Sequence, residues 1–155
     1  MFEFHGWARV ESTSGRSIWR DDGLYYPDDD LLCAELNTQL NILGSTSREC
    51  IDLRHTVNGL LSLTLSGLRN HRDKSVFYLF EWLAENAKRS TGLLFSRDDE
   101  DSDRVYNPQT QFRVYRLSRG EFKELDELFE MPLNPERPPA ETDFKKLGAD
   151  RDNTT

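Results

Sequence analysis

Cysteine is scarce in this chain of 155 residues: Cys33 and Cys50 are the only two. They fall in segments that read as a helix face and a strand, where a free thiol behaves as a small hydrophobe. No disulfide is expected. Long apolar runs are missing as well. Nothing approaches the ~18 residues that a membrane span needs, and the opening MFEFHGWARV alternates like a strand where a basic, apolar leader would not. A cytoplasmic protein without a membrane partner is the expectation. Positive charge is in deficit, with 20 Lys and Arg against 28 Asp and Glu and a formal charge of −8. That balance argues against nucleic acid as a partner and favours a basic protein.

Signatures of catalysis are missing too. There is no phosphate-cradling glycine loop, no nucleophile elbow, no metal-ligand spacing of Cys and His and no dinucleotide fingerprint. His5, His55 and His71 lie near carboxylates, but a histidine at a strand or loop position is more often a hydrogen-bonded structural residue than an acid or base. No catalytic, metal-binding or cofactor-binding residue is assigned, and no cofactor is expected.

What is present fits one domain, residues 1–130, followed by a tail, 131–155. The tail carries Pro132, Pro135, Pro138 and Pro139, alternating charge and few large apolar residues beyond Phe144 and Leu147, the composition of a flexible or partner-ordered segment. At the start, Phe2, Phe4, Gly6, Ala8 and Val10 alternate with polar positions and Trp7, the period of a half-buried strand. ESTSGRSIWRDDGLYY reads as a long loop or short irregular hairpin. Asp28, Asp29 and Asp30 then precede the run LLCAELNTQLNIL, in which Leu32, Leu36, Leu40 and Leu43 recur at helical spacing, and a helix is expected over roughly Asp29 to Ile42. CIDLRHT and LLSLTLSG, joined at Asn58-Gly59, predict an antiparallel hairpin. Asp73 caps a second helix with Val76, Phe77, Phe80, Leu83, Ala84 and Ala87 on its apolar face. TGLLFSR and QFRVYRLSR supply two more strands.

The order strand, helix, strand, strand, helix, strand, strand predicts an α+β fold: a mostly antiparallel sheet of about five strands with two helices packed on it. Trp7, Trp19 and Trp82 read as core or edge packing, with Trp19, in a polar loop, the one that suits a contact with a partner.

Between the last two strands, Asp98, Asp99, Glu100, Asp101 and Asp103 place five carboxylates in six positions. Like charges this close repel, so the segment is a solvated turn, a cation site or a docking face for a basic partner. Asp99, Asp101 and Asp103 match the first three ligands of a calcium loop, but Arg104 replaces its turn glycine and Thr110 its bidentate Glu. As a hydrated turn, the loop would be offset by Arg97 and Arg104, with Arg69 or Arg72 bridging to Asp98 or Asp99. His71, in the donor cluster Arg69 to Arg72, suits either a tie to neighbouring backbone carbonyls or to Asp98 and Asp99, or contact with a partner's carboxylates.

Taken together, MFEFHGWA, IDLRHTVNG, LSGLRNHR, TGLLFSRDDED and FRVYRLSRGEF resemble the bacterial immunity protein 7 family, over roughly Met1 to Phe122. The chain departs from that pattern in the extension DSDRVYNPQTQ and in its proline-rich end. The resemblance implies a small α+β protein, not an enzyme, that binds the C-terminal domain of a polymorphic toxin encoded by a neighbouring gene and protects the producing cell. On that footing the carboxylates Asp98, Asp99, Glu100, Asp101 and Asp103 meet a basic toxin surface, with His71, Tyr106, Trp19, Tyr25 and Tyr26 adding contacts. The rival readings are an enzymatic antidote that reverses the damage, using His71 with Asp98 or Asp99, and a metal-responsive binding module. The oligomeric state is not fixed by the sequence.

Overall fold

The computed structural model describes residues 1–15, 18–21, 23–25, 27–42, 51–56, 59–102 and 106–130. Its elements are β1 (Phe2–Val10), β2 (Ile18–Arg20), β3 (Gly23–Tyr25), α1 (Pro27–Ile42), β4 (Ile51–His55), β5 (Leu61–Arg69), α2 (Lys74–Asn86), β6 (Thr91–Asp98), β7 (Gln111–Ser118) and β8 (Glu121–Glu130). Cys50, Leu43, Asn58, Tyr26, Asp103, Arg104 and the tail 131–155 lie outside the described residues.

Six strands form one antiparallel sheet in the order β4-β5-β1-β6-β7-β8, and β2 and β3 form a separate two-stranded ribbon. The α+β expectation holds, with a sixth strand in the main sheet. The first strand is a central one. Phe2 faces Arg69 of β5 on one side and Asp98 of β6 on the other. The sheet thus closes around a strand made early in the chain, and the two helices carry the chain across one face.

That face is apolar for reasons visible in the pattern. Phe2, Phe4, Ala8 and Val10 of β1, Leu61, Leu63 and Leu65 of β5, Leu94 of β6 and Leu117 of β7 are all buried. They pack with Leu32, Leu36 and Leu40 of α1 and with Val76, Leu79, Phe80 and Leu83 of α2. Each phenylalanine that the core removes from water contributes on the order of 1.5–3 kcal/mol. Asp73 caps α2, accepting from Ser75 N at 3.0 Å and from its hydroxyl at 2.5 Å. At the entry to α1, the Oδ1 of buried Asp29 accepts from Ser12 N at 2.9 Å and ties the end of β1 to the helix.

Two glycines are required by geometry. A Cβ on Gly92 would lie 2.3 Å from the Trp7 carbonyl oxygen and 2.9 Å from Ala8 Cα, so only glycine lets β6 approach β1 there. Between β7 and β8, Arg119 and Gly120 take φ of 55° and 75°, both left-handed, as a tight two-residue hairpin turn demands.

The sequence reading missed β8. Phe122, Leu125 and Leu128 recur every three residues, which hides a strand. The register gives the cause: Arg113 faces Leu128 and Tyr115 faces Glu124. Leu125, Asp126 and Glu127 therefore stand opposite Val114 alone, in a bulge that resets the alternation. Trp7 also departs from expectation. It lies on the sheet face away from the helices and is 46% exposed, whereas Trp82 packs partly buried against the core. Among the described residues, no helix is long and apolar enough to cross a membrane.

Candidate functional site: the acidic end of the sheet

The start of β1 and the ends of β5 and β6 come together at one end of the sheet, because Phe2 is paired with both Arg69 and Asp98. Segments 70–73 and 99–102 leave from there side by side. This register brings the donor-rich turn before α2 next to the acidic loop, although some thirty residues separate them in the chain.

The carboxylates of the loop have different surroundings. Asp98 is the last residue of β6 and is only 7% exposed. Its Oδ1 accepts from Glu100 N at 3.1 Å, and its own backbone N–H donates to the Tyr106 hydroxyl at 2.9 Å. Tyr106 is 5% exposed, and burial raises its phenol above the ordinary value. Both side chains thus face the protein and shape the loop from within. Asp99 N–H donates to the Met1 carbonyl at 3.1 Å, which prolongs the β1–β6 ladder, and its carboxylate pairs with the Met1 amino group.

Asp101 is drawn inward by a residue that the sequence reading did not single out. Arg113 Nε donates to Asp101 Oδ2 at 3.0 Å and its Nη1 to Glu124 of β8 at 2.5 Å. The same guanidinium lies 4.7 Å from the Tyr106 ring centre, where the ring's negative face attracts it. One arginine therefore ties the loop, β7 and β8 together. No local motif marks it, since only the strand register places it there.

Glu100 is the loop carboxylate that faces outward beside a histidine. Its Oε1 lies 3.0 Å from His71 Nδ1, with side chains 55% and 80% exposed. His71 thus meets Glu100 in place of Asp98 or Asp99. The arginines expected to bridge to Asp98 or Asp99 go elsewhere. Arg69 lies 3.8 Å from Asp73, the cap of α2, and Arg72 stacks 4.8 Å over Phe77. Arg97 pairs with Glu3, since the two face each other across β1 and β6. Burial acts to raise the Glu3 carboxyl, but hydrogen bonds from His5 and Arg97 outweigh it and hold Glu3 below its ordinary value.

Of the aromatics chosen from the sequence, Tyr106 lies at this end, whereas the ribbon that carries two others does not start from it. Trp19 and Tyr25 lie in β2 and β3, a ribbon entered from the Val10 end of β1, opposite the end where the acidic loop leaves. The structure adds Phe129 of β8, 49% exposed and 5.5 Å edge-on to Phe95. A groove of about 660 Å³ lies between α2 and the β7–β8 hairpin, lined by Arg72, Phe77, Tyr115, Phe122 and Glu124 among others. Among the described residues, no buried side-chain nitrogen or oxygen lacks a hydrogen-bond partner, and no group of three or more His, Cys, Asp or Glu is placed to hold a metal ion.

Comparison with curated proteins and with solved structures gave no match. The family model described as Immunity protein 7 matches residues 1–137, which takes in every described element and runs past the blocks that carried the resemblance. With a match over that span, the chain belongs to the immunity protein 7 family, toxin immunity proteins that act by binding and not by catalysis.

Proposed function

We propose that this protein neutralises its cognate polymorphic toxin in the cytoplasm by seating the acidic end of its sheet on a basic surface of the toxin's C-terminal domain, the cleft where that domain holds its substrate. The observation that carries the reading is the division of labour in the loop. Asp98, Tyr106 and the Asp101–Arg113 pair fix its path, while Glu100 and His71 stand in solvent. A preorganised charged loop loses little freedom on binding, and complementary charge speeds encounter by roughly 10- to 1,000-fold.

Asp98, Asp99, Asp101 and Tyr106 belong to this site as its frame, Asp103 adds its charge to the acidic run, and Glu100 and His71 are the direct contacts. A tight inhibitor covers roughly 1,600 Å² in total, more than one loop supplies. Trp19 of β2, Tyr25 of β3 and Tyr26, which follows it in the sequence, are proposed to add area. The test is calorimetric titration of this protein into the purified toxin domain encoded beside it, at low and high salt. One-to-one binding that weakens with salt and with Glu100→Gln supports the reading. Binding that is insensitive to both would place the contact elsewhere on the molecule.

A further inference from the structure

The sheet has two edges, and they differ. β4 is five residues long, whereas β8 is ten. Among the described residues, β8 has β7 on one side and no strand on the other, so among them one side of its backbone has no ladder partner for its N–H and C=O groups. Such an edge is a template for an added strand.

Charge decides which strand. β8 carries Glu121, Glu124, Asp126, Glu127 and Glu130 against Lys123 alone, half of the chain's net negative charge. Lys123 pairs with Glu121 at 2.7 Å and Arg113 with Glu124 at 2.5 Å. Asp126, Glu127 and Glu130 have no cation within ion-pair distance among the described residues. A second copy laid antiparallel on this edge would set like charges against each other, which is destabilising, whereas a basic strand would gain from the same groups.

The bulge at Leu125–Glu127 divides the edge, and the uncompensated acids all lie at or beyond it. There Phe129, half exposed against Phe95, offers an apolar seat for a side chain of the incoming strand. Glu130 pairs with Gln111, at the end of β7 that the acidic loop enters, and Arg113 joins the two regions.

We propose that the outer edge of β8 from Leu125 to Glu130 takes an extended, lysine- or arginine-bearing segment of the toxin as a seventh strand. This rests on the reading that the protein binds its toxin through the acidic end of the sheet, and it assigns the backbone of β8 to the same interface. The charges that keep two copies apart then select the partner.

Hydrogen–deuterium exchange of the full chain, alone and with the catalytically inactivated toxin domain from the adjacent gene, tests it. The expected result is amides within Leu125–Glu130 slowed by about tenfold or more in the complex, and an affinity loss of similar size for D126K/E127K at unchanged melting temperature. Protection confined to Asp98–Ser102 overturns the added strand and leaves the loop reading standing. No protection anywhere, with no complex by calorimetry, overturns both. Edge amides already slow in the free chain mean that the edge is taken, by a second copy if the protection grows with protein concentration, and this too overturns the proposal.

Discussion

The protein has two acidic regions at one end of its sheet, and it holds them in opposite ways. In the loop after β6, buried Asp98 accepts from the Glu100 amide, Asp99 meets Met1 and Asp101 meets Arg113. On β8, Asp126, Glu127 and Glu130 meet no cation among the described residues. The denser acidic run in the sequence is therefore largely a structural device, and the sparser one is the freer charge. Acidity along a chain does not say which carboxylates are available to a partner. Strands that arrive from elsewhere decide that, because a guanidinium or amide at 3 Å turns a carboxylate inward.

The largest effect should come from removing the residue that joins the two regions. Arg113→Met leaves Asp101 and Glu124 without their shared cation in a site whose arginine side chain is 16% exposed. A loss of about 2–3 kcal/mol is expected from chemical denaturation, together with faster amide exchange in 99–102. A loss under about 0.5 kcal/mol would mean that the loop does not depend on its arginine.

Tyr106→Phe comes next. It removes the hydroxyl that accepts from the buried Asp98 N–H, and leaving such a donor unpaired costs about 1–2 kcal/mol. Urea midpoints measured at constant m-value would reveal it.

Neutralising the outward acids sharpens the contrast from the other side. Glu100→Gln, and separately D126N/E127Q/E130Q, should each leave folding stability within about 0.5 kcal/mol of the parent, while slowing association with the toxin in stopped-flow mixing at low salt. If the β8 triple variant alone destabilised the fold, its carboxylates would have internal partners after all.

The smallest effect concerns acid. Glu3 is held below its ordinary value of 4.5 in the folded chain, so it binds protons less readily folded than unfolded. Its contribution to stability is thus full above pH 4.5 and is lost as pH falls through the lower, folded value. Glu3→Gln should be less stable than the parent above pH 4.5 and equal to it well below. Thermal melts across that range would show whether the two curves converge.

Much of the fold was legible because its signals are local. The alternation of Phe2, Phe4, Ala8 and Val10 marks a half-buried strand, the leucine row of α1 marks a helix stripe, and Asp73 before Ser75 marks a cap. β8 was not legible, because the bulge places its apolar residues at a spacing of three. Within the candidate site, the acidic run and His71 could be picked out as polar, loop-borne residues. Arg113 could not, since an arginine in a strand gives no local sign of what faces it across the sheet. Phe129 was missed along with its strand, and Trp7 was misplaced, because strand alternation alone does not say whether the second face will be covered.

The sequence alone therefore determined the class of fold, the two helices, five of the sheet's six strands, the acidic character and the family to which the chain belongs. All of these follow from composition, from short-range periodicity and from blocks of residues in order. The tertiary structure alone decided that β1 sits at the centre, that residues 70–73 lie beside 99–102, which carboxylates turn inward and which strands stand at the edges of the described sheet. Those facts depend on which strands pair and in what register. Pairing is settled by burying one apolar face of the whole sheet at once, so no single stretch of the chain contains it.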